Sequence, residues 1–303
     1  MVMTITTRRL ITVVGTIILM MSFVGCNKTS YDQNENIIEA GLLKERLSDA
    51  KTIVIDARSK EDYEKGHMIG AIHLAPEALT VSEPIPGLIA PKELVETVLS
   101  SKGIKNDSKV YIYDNKEGIY AARLWWVLKV YGHQDVKVIN NGEKAIVQNG
   151  FELTLDVPII NPSTYEAAPV DESIIATMDE VLRVVEGETE GIIIDTRSVA
   201  EYDEGAVPGA ILFPHTKNLY TDGSFKSPRD IYLDYNDLGV KRDDAIILYC
   251  KSSVRATQTA ILLKEAGFKN VKVYDGAWLE WSTKDTPTTE KSEEVVPSTQ
   301  DAS

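Results

Sequence analysis

Ile192-Ile-Ile-Asp-Thr-Arg-Ser-Val-Ala-Glu-Tyr-Asp-Glu-Gly-Ala-Val-Pro-Gly-Ala-Ile211 restates Ile53-Val-Ile-Asp-Ala-Arg-Ser-Lys-Glu-Asp-Tyr-Glu-Lys-Gly-His-Met-Ile-Gly-Ala-Ile72. Asp56/Asp195, Arg58/Arg197, Tyr63/Tyr202, Gly66/Gly205 and Gly70/Gly209 stand at matching places. A second pair follows in the same order. Val110-Tyr-Ile-Tyr113 matches Ile246-Ile-Leu-Tyr249, a helical pattern comes after each, and then Asp135-Val-Lys-Val-Ile-Asn-Asn-Gly142 or Asn270-Val-Lys-Val-Tyr-Asp-Gly276. A period of about 140 residues is too long for a solenoid repeat and marks a duplicated domain.

Each half alternates short β-branched runs with helical patterns. In the second half Ile192–Ile194, Ala245–Tyr249 and Val271–Tyr274 read as strands, and Thr177–Glu186 and Ala256–Ala266 as helices. This alternation predicts an α/β fold, two tandem domains each with a mostly parallel sheet and helices on both faces. The first domain is expected over residues 37–151 and the second over 171–282. Residues 152–170, with Pro158, Pro162 and Pro169, read as a linker wrapping between the halves, and 283–303 as a disordered tail of Thr, Ser, Pro and Glu.

Ligands of such sheets bind at the carboxyl ends of strands. Cys250 stands there, closing the run Ala245–Tyr249 and opening the loop Cys250-Lys-Ser-Ser-Val-Arg255 ahead of a helix. Lys251 and Arg255 share that loop, and a thiol among cations before a helix is set up for the reactive thiolate form. The alternative is a buried structural cysteine. The place matching Cys250 in the first half is Asp114, in Asp114-Asn-Lys-Glu-Gly118. A carboxylate cannot carry a nucleophilic sulfur, so the first half reads as catalytically silent.

Forty-six acidic residues against thirty-two basic ones give a net charge of −14. That balance argues against nucleic acid or an anionic membrane surface as partner, and an anionic substrate needs a local positive pocket. The N-terminus reads as an export signal over residues 1–25: Thr6-Thr-Arg-Arg9, then fourteen apolar-patterned residues from Leu10 to Phe23, too few for a comfortable span. It ends in Phe23-Val-Gly-Cys26, which resembles the lipobox of bacterial lipoproteins. That resemblance implies lipid on Cys26, a polar tether over residues 26–36, and a chain anchored on the extracytoplasmic face of a bacterial membrane. A plain signal peptide or an uncleaved anchor are the alternatives. With Cys26 lipidated, Cys250 is the remaining thiol of the chain and no internal disulfide can form.

The duplicated motifs resemble the tandem rhodanese family, the thiosulfate and 3-mercaptopyruvate sulfurtransferases. Asp-x-Arg-Ser-x-x-Glu/Asp-Tyr, followed by Gly-x-x-x-Gly-Ala-Ile, occurs twice. Ala121-Ala-Arg-Leu-Trp-Trp126 with Tyr131-Gly-His133 is similar to that family's first domain, and Asp222-Gly-Ser-Phe-Lys-Ser-Pro228 to its second. The likeness covers nearly all of residues 37–282. It implies that Cys250 takes sulfur from a small anionic donor and hands it to a thiol or cyanide, with no cofactor. Lys251, Ser252, Ser253, Val254 and Arg255 are expected to cradle the sulfur with inward amides and charge. Arg197 is expected either to contact the donor, as its family counterpart does, or to form a salt bridge inside its domain, as the repeated Arg58 suggests.

This chain departs from the family at Ser253, where many family loops carry glycine, and a serine there faces backbone angles that glycine tolerates. Mercaptopyruvate-specific loops are small and neutral beside the cysteine, whereas two cations flank Cys250, which favours thiosulfate. Two other functions compete. A Cys-dependent phosphatase or arsenate reductase would need a Cys-x5-Arg loop, and Cys250-x4-Arg255 is one residue shorter. A non-catalytic binding or sensing module is the second. His67, His73, His133 and His215 are scattered without metal-ligand spacing. His67 and His73 flank a turn and are expected at the surface, while Trp125, Trp126, Trp278 and Trp281 are expected in core and interface packing.

Overall fold

The computed structural model describes residue 31, residues 34–284 and residues 286–289. The expectations for the signal segment, for Cys26 and for the chain beyond residue 289 lie outside the described residues.

Two five-stranded sheets carry the fold. The first orders its strands Ile37–Ile38, Val136–Ile139, Lys109–Tyr113, Thr52–Asp56, Ile72–His73, and the second Ile175–Ala176, Asn270–Tyr274, Ala245–Tyr249, Ile192–Asp195, Ile211–Leu212. Every neighbouring pair in both sheets is parallel, so each step between strands needs a crossover, and helices supply most of them. Side chains alternate faces along each strand. Val110 and Ile112 enter one apolar cluster, and Tyr111 and Tyr113 a second. Ile246, Leu248 and then Cys250 enter the first of these clusters, while Ile247 and Tyr249 enter a third. The first cluster is therefore one core shared by both domains, and Cys250 belongs to its face of the second sheet.

The helices Ile119–Val130 and Val254–Glu265, one from each half, pack against each other through that core. Both are buried over most of their length; Ile119–Val130 is apolar on nearly every side, while Val254–Glu265 also buries Thr257, Gln258 and Thr259. Polar bonds across the same interface fix its register. Trp126 Nε1 donates to the Ile174 carbonyl at 3.4 Å, Gln258 Nε2 to the Glu117 carbonyl at 2.8 Å, and the Phe225 amide to Asn140 Oδ1 at 2.9 Å.

Local signals set the helix starts. Thr177 and Glu180 form a reciprocal capping box, so the helix expected from Thr177 runs over Met178–Val185. The helix expected from Ala256 begins two residues earlier, at Val254, and takes Arg255 into its first turn.

Four expectations are corrected. The end of the polar tether is packed: Tyr31 is buried with its hydroxyl on the Lys226 carbonyl, and Glu265 accepts from both the amide and the side chain of Asn36, at 2.6 and 2.8 Å. The tail begins ordered, because Thr289 bridges to Ala206 and Trp281 Nε1 donates to the Pro287 carbonyl at 3.0 Å. His67 is fully buried, stacked on Tyr63 at 3.7 Å with its ring nitrogens on the Tyr63 and Asp156 carbonyls. His73 is half-buried, with Nε2 2.9 Å from the Arg58 carbonyl. Both histidines serve packing: the turn between them is exposed, but His67 is enclosed by Tyr63 and by Leu153–Asp156, whose Leu153–Thr154 pairs with His67–Met68. Trp125, Trp126 and Trp281 are buried as expected, and Trp278 is half-buried.

Candidate active site

Cys250 follows the central strand of the second sheet at its carboxyl end and is 1% exposed. Two amides of the next strand-to-helix turn pin the loop that begins there. Trp278 donates to the Cys250 carbonyl and Leu279 to the Lys251 carbonyl, each at 3.0 Å. The loop is short, and the helix starts after Ser253, whose φ of 60° and ψ of −13° lie in the left-handed region. A residue with a Cβ resists that conformation. Ser253 keeps it while its Oγ bonds the Ser252 carbonyl at 2.7 Å, Asp275 Oδ1 at 3.0 Å and Arg123 Nη1 at 2.9 Å. The departure from glycine is thus matched by a set of polar partners.

The loop amides were expected to converge on the sulfur. The Val254 amide does not join them, because the Ser252 carbonyl takes it at 2.9 Å. The Arg255 and Ala256 amides, next in that helix's first turn, have no acceptor within it, and such donors at a helix start suit an anion.

Charge at the site comes from two cations in different states. Lys251 is exposed, and among the described residues no carboxylate pairs with its ammonium. Arg255 is half-buried and forked onto Glu201, Nη1 and Nη2 each at 2.7 Å from a carboxylate oxygen. The Glu201 bond, and after it the Cys250 thiol, push the guanidinium's pKa up against the opposing effect of burial. Arg255 in turn pulls the Glu201 carboxyl down to about 2. At the rim His215 Nε2 lies 3.2 Å from Glu117 of the other domain. Burial lowers the imidazole's pKa, with Glu117 opposing and the Arg255 charge adding to the effect.

Of the two roles open to Arg197, the structure supports the salt bridge and gives no support to the donor contact. Its guanidinium is buried, holds both oxygens of Asp195 at 2.6–3.0 Å, donates to the Gly205 carbonyl at 2.7 Å and lies 4.4 Å from the Trp278 ring. Arg58 does the same with Asp56 and Gly66, and Glu143 takes the place of Trp278. The duplication therefore preserves a structural clamp.

The silent half has its own loop with a different tenant. Asp114 is 2% exposed, and its carboxylate accepts from the amides of Lys116, Gly118, Tyr120 and Ala121 at 2.8–2.9 Å. Burial pushes its pKa up in spite of those four donors. The loop there caps its helix with Gly118 at φ 79°, and Phe225 of the other domain lies so close that a Cβ at Gly118 would meet its ring at 2.3 Å.

Four participants escaped the sequence reading: Glu201, Asp275, Arg123 and the strap Thr80–Ile89 with Gly87 against Ser252. Asp275 and Asn140 occupy matching places in the repeat, so the charge difference between them was a visible signal. Arg123 sat inside a quoted motif without a role. Among the described residues no cluster of three or more His, Cys, Asp and Glu is placed to hold a metal ion.

Comparison with known proteins agrees with this arrangement. The rhodanese-like domain family matches residues 39–149 and again 177–284. The sulfur carrier protein TtuD of Thermus thermophilus is 33% identical over 275 residues, covering 83% of this chain and 95% of TtuD. A protein of Saccharopolyspora erythraea with the provisional name thiosulfate sulfurtransferase is 33% identical, covering 76% of this chain and 88% of the relative. The crystal structure of SseA from Escherichia coli, described as a 3-mercaptopyruvate sulfotransferase, superposes with a TM-score of 0.71 at 26% identity, over 80% of this chain and 98% of SseA.

Proposed function

The chain belongs to the rhodanese family as a two-domain sulfurtransferase, and from that premise we propose that it moves sulfane sulfur from thiosulfate to a thiophilic acceptor through a persulfide on Cys250. The Cys250 thiolate attacks the outer sulfur of thiosulfate. The donor's S–S bond breaks, sulfite leaves with the electron pair, and Cys250 becomes a persulfide anion. Cyanide or a thiolate then attacks the terminal sulfur. Thiocyanate or a new persulfide departs, and the Cys250 thiolate is restored.

The observation that carries this reading is the correspondence between the two loops. In one half a carboxylate fills a ring of four backbone amides. In the other half a thiol stands at the matching strand end, against a helix start and beside Arg255. A loop that stabilises a fixed anion in one copy suits a transient persulfide anion in the other.

Lys251, exposed and paired with no carboxylate among the described residues, favours the dianionic donor. Likeness to SseA supports 3-mercaptopyruvate as a second donor. Phosphate chemistry gains nothing, because the Arg255 fork that would grip a phosphate is occupied by Glu201. As for location, the lipobox at Cys26 supports a lipid-anchored chain facing out of the bacterial cytoplasm. Turnover of thiosulfate against 3-mercaptopyruvate on wild type and Cys250→Ala tests the assignment. Loss of both activities in the variant, with thiosulfate the better donor in wild type, is expected. Turnover that survives in Cys250→Ala would overturn it.

A further inference from the structure

We propose that Arg123, which belongs to the domain without the thiol, is a positioning residue for the sulfur-transfer loop, holding Ser253 in the left-handed conformation that turns the chain from Cys250 into its helix. The proposal goes beyond the persulfide reading, since it concerns the shape of the loop whatever donor reacts there.

Arg123, Ser253 and Asp275 form a closed set at the domain interface. Arg123 Nη1 donates to Ser253 Oγ at 2.9 Å, and Nη2 lies 2.9 Å from Asp275 Oδ1 and 2.8 Å from the Gly87 carbonyl. Asp275 Oδ2 accepts from the Ile89 amide at 2.8 Å, which ties in the strap that rests on Ser252. Arg123 and Ser253 are fully buried and Asp275 is 7% exposed, so water does not compete for these bonds. The guanidinium also lies 4.7 Å from the Trp126 ring. A guanidinium is a rigid planar fork, so it presents one geometry to its partners. Asp275 leads directly into the turn whose Trp278 and Leu279 amides hold the Cys250 and Lys251 carbonyls. Arg123 and Asp275 together therefore bracket the loop from both ends.

The silent half holds its loop with different partners. Its helix is capped by Gly118, which enters positive φ without a Cβ, and Asn140 stands where Asp275 stands. Asn140 bonds the Phe225 amide at 2.9 Å and Glu39 at 2.9 Å, and no arginine is drawn to it. The silent loop also holds a non-glycine residue at positive φ, Glu117 at 59°, and its carbonyl accepts from Gln258 of the other domain's helix, so each loop's strained residue is held by a side chain from across the interface.

Amide hydrogen exchange across residues 250–255 tests this in wild type, Ser253→Ala, Ser253→Gly, Arg123→Gln and Arg123→Gln with Ser253→Gly. Ser253→Ala keeps the strain without the partner and should speed loop exchange by about tenfold or more, while Ser253→Gly removes the strain and should hold it within about threefold of wild type. Arg123→Gln should speed loop exchange about tenfold with Ser253 present and by about threefold or less in the Ser253→Gly background, while central-strand amides of both sheets stay protected. Equal behaviour of the alanine and glycine variants, an undiminished Arg123→Gln effect in the glycine background, or loosening spread evenly over both domains would overturn the proposal. If Arg123→Gln does not fold, the alanine and glycine pair decides alone. Wild-type sulfur uptake is measured beside it: its absence refutes the persulfide, while the exchange still decides the clamp.

Discussion

Arg255 donates through both terminal nitrogens to Glu201, at 2.7 Å each, so the cation beside Cys250 is aimed by a carboxylate from the helix Val199–Asp203 that follows the neighbouring strand. Glu201 is itself fixed, since it accepts from the Ser198 amide at 3.0 Å and completes a capping box. One carboxylate thus starts a helix and orients the site.

The Glu201 carboxyl is held down to about 2, below the usual carboxylate range. A depressed pKa contributes stability that is fully present above the unfolded value near 4.3 and is lost as pH falls from there through about 2. Glu201→Gln should therefore cost about 1 kcal/mol near neutral pH, after allowance for solvent screening. That difference should shrink steadily in the acid window. Urea unfolding of both proteins as a function of pH reads it, and a pH-independent difference would count against the ion pair as its source.

Lys251 is exposed, with no carboxylate pairing its ammonium among the described residues, so its charge is available to an incoming anion. Lys251→Ala should lower kcat/KM for thiosulfate by about tenfold and for 3-mercaptopyruvate by about threefold or less, because removing one of two cations weakens attraction for a dianion most. Equal loss with both donors would show that the lysine supports the loop rather than selecting the donor.

Asp114→Ala removes the acceptor from four buried amides of the silent loop. The expected cost is about 3 kcal/mol of stability, the scale of leaving several donors unpaired. Persulfide formation at Cys250 should survive, as read by mass after thiosulfate treatment. Its loss in a folded Asp114→Ala protein would assign the first loop a part in the chemistry.

Cys26→Ser should release the chain from the membrane fraction and abolish incorporation of labelled fatty acid. Retention on the membrane with full labelling would contradict a lipid anchor at Cys26.

Much of this architecture is legible in the sequence, because duplication prints each strand-turn-helix unit twice and the unbroken apolar runs Val110–Tyr113 and Ile246–Tyr249 report strands buried on both faces. Cys250 was legible for the same reason: its counterpart Asp114 breaks the repeat at a strand end. What stayed hidden depends on packing between distant segments. His67 reads as a turn residue, yet Tyr63 and the carbonyl of Asp156 enclose it. Arg197 reads equally well as a ligand or a clamp until Asp195 and Gly205 are seen to hold it. Glu201 lies 54 positions before Arg255, and Arg123 130 before Ser253, separations that no local pattern encodes. Tyr31 and Thr289 lie in polar stretches of tail-like composition, and single contacts, not composition, order them.

Intact mass of the purified protein after incubation with thiosulfate tests the sulfur-transfer reading most directly. One added sulfur atom is expected in wild type, located on Cys250, lost on addition of cyanide with formation of thiocyanate, and never gained by Cys250→Ser. A wild-type mass unchanged by thiosulfate and by 3-mercaptopyruvate, or a gain that persists in Cys250→Ser, would contradict it.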